Sequence, residues 1–149
     1  MYKHILLPTD GSEQSEKAEK ECLAFARSIG ARVTVIHVVS HFHLHYQPWA
    51  APKSFHEKIE KEHEEEAKTI AAKMVSALVE RARAQGVRCE SLVVVGDHPY
   101  EEIIRAAERN DCDLIMMASH GRRGLDALLL GSETAKVLTH SKIPVLVVR

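Results

Sequence analysis

The sequence predicts an α/β protein organised around one open parallel sheet. Short apolar runs rich in valine, isoleucine and leucine alternate along the chain with segments whose apolar residues repeat at helical spacing. Such alternation is the pattern of parallel strands joined by right-handed helical crossovers. The chain has 149 residues, of which 45% are apolar, and this suits a single domain, 1–149, with a proper core. We expect a sheet with helices on both faces.

The first quarter of the chain predicts two strands with a helix between them. The apolar run 5–7, ended by Pro8, suits a strand covered on both faces, and the β-branched run 33–39 suits a second strand. Asp10 or Ser12 can cap the helix that separates them.

A long loop and a long helix come next. Residues 40–52 have no clear period, and we expect a loop there. A helix is predicted over 54–85, solvated in its charged first half and apolar on one side in its second half. The apolar stripe predicted to face the sheet consists of Ala67, Ile70, Ala71, Met74 and Leu78.

The rest of the chain predicts three more strands, at 89–95, 113–117 and 143–148. A third helix, with Asp97 as candidate cap, lies between the first two of these strands. A short fourth helix over 132–140 precedes the last strand.

Composition excludes several classes of function. A net charge of −1 gives no reason to expect nucleic acid or an anionic membrane as partner. No apolar run approaches the roughly 20 residues that span a bilayer, and the N-terminus does not resemble a signal peptide. Three widely spaced cysteines, Cys22, Cys89 and Cys112, favour buried, reduced thiols and a cytoplasmic location.

The most distinctive loop chemistry lies between the fourth strand and the fourth helix. Gly121 and the pair Gly131-Ser132 allow close backbone approach to a ligand and open a helix with unpaired N–H groups. The positive end of the helix dipole favours an anion there, most often a phosphate. Arg122 and Arg123 are further candidate phosphate contacts, although arginines in exposed loops are more often solvated.

Four motifs in register resemble the universal stress protein family. Gly121, nine intervening residues and Gly131-Ser132 are similar to its nucleotide loop, from which Ala118 departs where the pattern has its first glycine. Residues 5–12 resemble the opening strand with its Pro-Thr-Asp turn, 37–39 the end of the second strand, and 143–148 the closing strand. The resemblance therefore covers the whole chain.

The resemblance implies a Rossmann-like sheet of order 3-2-1-4-5, which places the change of direction between strands one and four. Ligands of open parallel sheets bind at that point, outside the carboxyl ends of the strands. It also implies ATP as ligand, with Val38 as backbone contact to the adenine and Asp10 as a possible Mg²⁺ ligand. The other predicted contact residues are Pro8, Thr9, Met117, Ala118, His120, Gly121, Gly131, Ser132 and Glu133.

The resemblance further implies a dimeric regulatory protein, and the sequence, which has no complete Walker loop with its lysine, predicts little or no turnover. The apolar strand 143–148, if it is a sheet edge, offers unpaired backbone groups for pairing with a second copy. The alternative is an edge covered by the loop 40–52, which would leave a monomer.

Other functions have less support in the sequence. A dimeric interaction module without nucleotide is favoured only by Ala118, and the motifs of adenylating enzymes on the related fold are missing from the sequence. Ser119-His120 lacks the surroundings of a nucleophile elbow. His41, His43 and His45 could point to one side and bind Zn²⁺ or Ni²⁺, but a solvated loop is the simpler interpretation.

Overall fold

The computed structural model of the protein describes residues 1–47, 49–121 and 129–149. Within these ranges, strands and helices alternate as predicted. The strands are β1 (His4–Pro8), β2 (Arg32–Val39), β3 (Cys89–Val95), β4 (Leu114–Ala118) and β5 (Val145–Val148). The helices are α1 (Glu13–Ile29), α2 (Lys53–Ala84), α3 (Pro99–Arg109) and α4 (Ser132–His140).

The strands form one parallel sheet in the order β3-β2-β1-β4-β5, which confirms the predicted order. In the central strand β1, Ile5 lies opposite Val33 of β2 on one side and Leu114 of β4 on the other. The direction of strand addition therefore changes between β1 and β4.

Two apolar clusters fill the space between the sheet and its helices. On one face α1 and α2 pack against Ile5, Leu7 and Val35, and on the other face α3 and α4 pack against Leu6 and Ile36. Alternate residues of β1 thus serve both layers, which explains its uninterrupted apolar sequence. The three cysteines are buried, as predicted, and burial raises the pKa of the Cys22 thiol to about 12.

The apolar stripe of α2 was predicted only in part. Ala71 and Leu78 are 3% and 2% exposed, as expected, but Ile70 is 63% exposed and does not face the sheet. The buried side of α2 continues through Val75 and Val79 instead. Ile70 lies one position away from Ala71, and this rotates its side chain by about 100° around the helix, away from the sheet.

The caps of two helices were predicted with different success. Ser12 rather than Asp10 is the N-cap of α1, and its side chain accepts a hydrogen bond from the Ser15 N–H. The prediction that Asp97 caps α3 is wrong, since the N-cap is His98 and makes no side-chain cap bond. Glu133 of α4 accepts the Tyr100 N–H at 2.8 Å instead.

The last strand begins two residues later than predicted, at Val145, although the Pro144 carbonyl already accepts the N–H of Ile115 at 2.9 Å. Within the described ranges, no helix has the length and apolar character needed to cross a bilayer.

Candidate functional site

A cleft of about 830 Å³ opens at the carboxyl ends of β1, β2 and β4. Its volume falls within the roughly 300–1,000 Å³ typical of small-molecule sites. It lies at the change of strand direction, where ligands of open parallel sheets bind. The predicted contact residues all line it: Pro8, Thr9, Asp10, Val38, Met117, Ala118, His120, Gly121, Gly131, Ser132 and Glu133.

The turn between β1 and α1 is held by hydrogen bonds around Thr9. Its N–H donates to the Ile36 carbonyl at 2.9 Å, and its hydroxyl donates to the Glu19 carboxylate at 2.7 Å. Glu19 is only 6% exposed and is paired at its second oxygen with Arg81, at 3.1 Å. Gly11 takes a φ of +73°, which permits the sharp change of direction after Asp10. The wall of the cleft formed by this turn is therefore rigidly supported from behind.

The Asp10 carboxylate lies between this turn and Gly121 of the glycine loop. Its Oδ1 accepts the Ser12 N–H at 2.9 Å and the Ser15 hydroxyl at 2.6 Å. A Cβ added at Gly121 would lie 2.3 Å from Asp10 Oδ2, so a larger residue there would require the Asp10 side chain to shift. The structure thus gives a physical reason for one glycine of the predicted loop.

The two ends of the glycine loop meet at β4 and α4. The Gly131 N–H donates to the Ser119 carbonyl at 2.7 Å, and the Thr134 hydroxyl donates to the Ala118 carbonyl at 3.0 Å. The Gly131 N–H thus already has a protein acceptor in this structure, and its predicted use for phosphate stays a prediction. A Cβ at Gly131 would meet the His120 Cα at 2.9 Å rather than project toward a ligand.

The first turn of α4 offers donors that the protein itself does not use. Among the described residues, the N–H groups of Ser132, Glu133 and Thr134 have no hydrogen-bond acceptor. All three residues line the cleft, at the positive end of the α4 dipole. Unpaired, parallel N–H groups of this kind form an anion-binding site.

Ala118 fits its position without backbone strain. It is the last residue of β4 and is 8% exposed. In the part of the chain that the structure describes, Asp111 is the only residue other than glycine with a positive φ, so the backbone at Ala118 does not require glycine. Arg122 and Arg123, the other predicted contacts of this loop, lie outside the described residues.

Glu133 and His120 line the cleft with side chains that are already engaged. Glu133 holds the Tyr100 N–H and also pairs with Lys136 at 3.3 Å. The Ser119 hydroxyl and His120 Nδ1 are 2.8 Å apart and hydrogen-bonded, although the two residues are adjacent in sequence. Ser119 is 5% exposed, so its hydroxyl is poorly placed to attack a ligand.

The histidine-rich loop lies against α2 and the start of α3. His41 Nδ1 is 3.0 Å from Glu64, and His43 Nε2 is 3.4 Å from Asp97. Among the described residues, no group of three or more His, Cys, Asp or Glu side chains is arranged to hold a metal ion. The hypothesis of a metal site at His41, His43 and His45 therefore gains no support.

Sequence reasoning used His37 only as part of a strand motif, yet the residue lines the cleft. Its Nδ1 lies 2.7 Å from the Thr9 carbonyl oxygen. The available signal was a polar side chain at the carboxyl end of a buried apolar strand, beside the predicted adenine contact Val38.

The fold and the cleft define an open parallel α/β protein with a ligand-sized site at the change of strand direction. The chain belongs to the universal stress protein family, whose model matches residues 1–149. Universal stress protein MJ0577 of Methanocaldococcus jannaschii is 35% identical over 157 residues, covering 100% of this chain and 96% of the relative.

Solved structures agree with this assignment. The structure of MJ0577, described as a hypothetical protein whose biochemical function was assigned from its structure, matches with a TM-score of 0.83 at 36% identity, covering 99% and 96% of the two chains. A universal stress protein in complex with cAMP matches with a TM-score of 0.69 at 23% identity, covering 99% and 97%. The universal stress protein from Archaeoglobus fulgidus in complex with dAMP matches with a TM-score of 0.66 at 21% identity, covering 99% of this chain and 98% of that chain. At these lower identities the similarity establishes the fold.

Proposed function

We propose that the cleft binds an adenine nucleotide, with ATP as the main ligand, and that the protein acts as a nucleotide-responsive regulator. One observation carries the proposal: the first-turn N–H groups of α4 line the cleft and have no acceptor among the described residues. Groups that are left unpaired in this way are satisfied when phosphate oxygens bind.

Two members of the fold family support the adenine part of the proposal. One was solved with cAMP and the other with dAMP, and both ligands combine an adenine with one phosphate. In this chain the apolar side of the cleft includes Val38, Ala71 and Met74, which suit a purine. The phosphates would then lie toward α4.

Mg²⁺ would be held at Asp10, the carboxylate at the β1–α1 turn, because carboxylate oxygens beside phosphates are its usual protein ligands. Comparison of ATP affinity with Mg²⁺ and with a chelator tests this part separately. An affinity equal under both conditions would rule the metal out.

The sharpest test of phosphate binding is Ser132→Pro. Ser132 is the first residue of α4, where proline is tolerated and removes only an N–H group that has no helical partner. Gly131 before it has φ −59° and ψ 149°, a conformation compatible with a following proline. We expect ATP affinity to fall roughly 10- to 100-fold, the range for losing a hydrogen bond to a charged group. Calorimetry measures the affinity.

Two controls isolate the N–H group. Ser132→Ala removes the hydroxyl alone and should weaken ATP binding only about two- to fivefold. Adenosine, which has no phosphate, should bind all three proteins equally. Absence of ATP binding by the unsubstituted protein at millimolar concentration would refute the proposal and favour an interaction module without nucleotide.

We also propose that turnover is negligible. His120 is the candidate base at the cleft, and in the described ranges no carboxylate orients its ring. The steady-state rate of ATP hydrolysis should lie far below the roughly 10 s⁻¹ typical of enzymes. A rate near that value would contradict the regulatory role.

The proposed regulator is a homodimer paired through β5. This strand is at the edge of the sheet, and Leu146 on it is 37% exposed. The loop predicted as the alternative cover lies elsewhere: Phe42 stacks on His63 of α2, and the Leu44 N–H donates to Glu60. Two copies related by a two-fold axis could pair their β5 edges antiparallel.

Leu146→Lys tests the dimer, because it places a charge in the proposed contact between the two copies. The Leu146 side chain is already exposed in a single copy, so the charge should not disturb the core of that copy. We expect a shift toward monomer in sedimentation at micromolar concentration, with ATP affinity unchanged. Leu146→Met keeps the apolar contact and should stay dimeric. A monomeric unsubstituted protein would exclude pairing through β5.

A further inference from the structure

The tautomer of the neutral His37 ring can be assigned from its hydrogen bond. The ring nitrogen Nδ1 lies 2.7 Å from the Thr9 carbonyl oxygen. A carbonyl oxygen only accepts hydrogen bonds, so Nδ1 must carry the proton. In the neutral ring, Nε2 then has a lone pair and no proton, which makes it a hydrogen-bond acceptor.

The ring is held firmly by this bond because Thr9 itself is fixed. The Thr9 N–H is bound to the Ile36 carbonyl, and the Thr9 hydroxyl is bound to the buried Glu19 carboxylate. His37 also belongs to β2, which is paired with strands on both sides. Its backbone and its Nδ1 are thus both anchored, and the second nitrogen keeps one orientation.

The Nε2 atom is accessible and unpaired in the described part of the protein. No hydrogen bond to it is formed there. In the same residues, His4 Nδ1 is the one fully buried side-chain nitrogen or oxygen without a partner, so His37 Nε2 retains solvent contact. Because His37 lines the cleft, an oriented acceptor lies next to the space proposed for the nucleotide.

We propose that His37 Nε2 accepts a hydrogen bond from the nucleoside half of the bound nucleotide. This inference rests on the proposed function and adds a residue that selects the ligand. Phosphates at neutral pH offer no comparable donors, whereas a nucleoside has ribose hydroxyls and the adenine amino group. His37 would therefore select for nucleoside donors, while the first turn of α4 holds the phosphates.

His37→Asn is the test variant, because asparagine can keep an N–H donor near the position of Nδ1 but has no atom at the position of Nε2. The hydrogen bond to Thr9, and with it the turn, should be preserved. ATP affinity should fall roughly 2- to 12-fold, the range for one neutral hydrogen bond. The melting temperature should stay unchanged.

Ligand analogues identify the donor and separate binding from support of the fold. The 2′-deoxy and 3′-deoxy forms of ATP each lack one ribose hydroxyl, and inosine triphosphate replaces the amino group by an oxygen. For the unsubstituted protein, the analogue that lacks the donor should have a lower affinity than ATP. For the His37→Asn variant, the same analogue and ATP should have equal affinities.

Several results would overturn the inference. One is that the unsubstituted protein and the His37→Asn variant bind ATP with equal affinity. Another is that each analogue loses the same affinity relative to ATP in both proteins. If His37→Asn fails to fold, the ¹⁵N resonance of Nε2 in the unsubstituted protein decides: an upfield shift on ATP addition supports the contact, and no shift overturns it. Absence of all nucleotide binding would refute the proposed function as well, whereas binding without a role for His37 refutes this inference alone.

Discussion

Most polar groups at the amino end of the sheet are hydrogen-bonded within the protein, apart from the buried Nδ1 of His4, whereas several at the carboxyl end have no partner among the described residues. At the amino end, the Asp113 carboxylate accepts the N–H groups of Lys3, at 2.9 Å, and of His4, at 3.0 Å. The His4 Nε2 is 2.7 Å from the Thr34 hydroxyl. At the carboxyl end, the described N–H groups of the first turn of α4 and the Nε2 of His37 have no protein partner.

This difference separates stability from binding within one fold. Hydrogen bonds inside the protein stabilise the folded state, whereas polar groups left for a ligand contribute to stability only when the ligand is bound. Substitutions at the amino end should therefore change the free energy of unfolding and leave nucleotide affinity unchanged. Substitutions of the unpaired groups at the carboxyl end should do the reverse.

The largest effect on stability is expected from Asp113→Ala. The variant loses every hydrogen bond that this carboxylate makes to the Lys3 and His4 N–H groups. We expect the free energy of unfolding to fall by about 2–4 kcal/mol, given typical values for hydrogen bonds to charged groups. Urea denaturation measures it, with ATP affinity as the second measurement. Asp113→Asn keeps an acceptor oxygen and should lose less.

An equally stable Asp113→Ala protein would show that the amino end does not depend on this carboxylate. A large loss of ATP affinity at unchanged stability would contradict the expected separation of stability from binding. It would mean that the two ends of the sheet are coupled.

A smaller effect on the free energy of unfolding is expected from Thr9→Val. Thr9 belongs both to the cleft and to the hydrogen bonds inside the protein. Thr9 lines the cleft, but its hydroxyl donates to the buried Glu19 carboxylate behind the cleft wall. The isosteric valine leaves that carboxylate with Arg81 as partner, and we expect a loss of about 1–2 kcal/mol in the free energy of unfolding. Thermal and urea unfolding measure the loss. Thr139→Val, on an exposed face of α4, is the matched control and should have little effect.

The ATP affinity of the Thr9→Val variant shows whether the hydroxyl supports the turn or contacts the ligand. If the hydroxyl only supports the turn, the affinity of the folded variant should remain within about twofold, below the effect of one hydrogen bond. A larger loss with unchanged stability would place Thr9 among the ligand contacts instead.

Sequence reasoning predicted the elements of this fold better than the contacts between them. Apolar runs and helical spacing predicted alternating strands and helices, but the strand order came from the motifs and not from periodicity. The exposure of Ile70 was missed because apolar spacing alone does not fix which side of a broad apolar stripe faces the sheet. The predicted site residues line one cleft because the carboxyl ends of parallel strands meet at one edge.

The contacts that sequence reasoning missed at the site join residues distant in sequence. Glu133 caps α3 through Tyr100, which is 33 positions away, and no local cap pattern encodes such a bond. The contact of His37 with Thr9 spans 28 positions. The Gly131 N–H, which was expected to bind phosphate, donates to the Ser119 carbonyl. These details require the packed structure, since each depends on two elements brought together by the sheet.

The smallest effect is expected from the pH dependence contributed by His4. Burial, and secondarily the nearby Arg32, lower the pKa of the His4 ring below its ordinary value of 6.5, although the Asn110 backbone, Glu90 and Asp113 oppose this. The folded state therefore holds the ring neutral, while the unfolded chain takes up a proton as the pH falls below about 6.5. The free energy of unfolding should decrease as the pH falls from about 6.5 to the folded-state pKa of His4. Above about pH 6.5, the titration of His4 should not affect it.

His4→Gln removes this titration and should flatten the slope of unfolding free energy against pH in that window, as measured by urea denaturation at several pH values. Titration of Asp113 does not contribute to the slope in this pH window. Burial alone would raise its pKa, but the N–H groups of His4 and Lys3 outweigh burial and hold the pKa below 3.8. The contribution of Asp113 is therefore lost only as the pH falls through that lower value. An identical slope in both proteins would mean that the buried ring of His4 does not resist protonation, and that the amino end is less completely closed than its hydrogen bonds indicate.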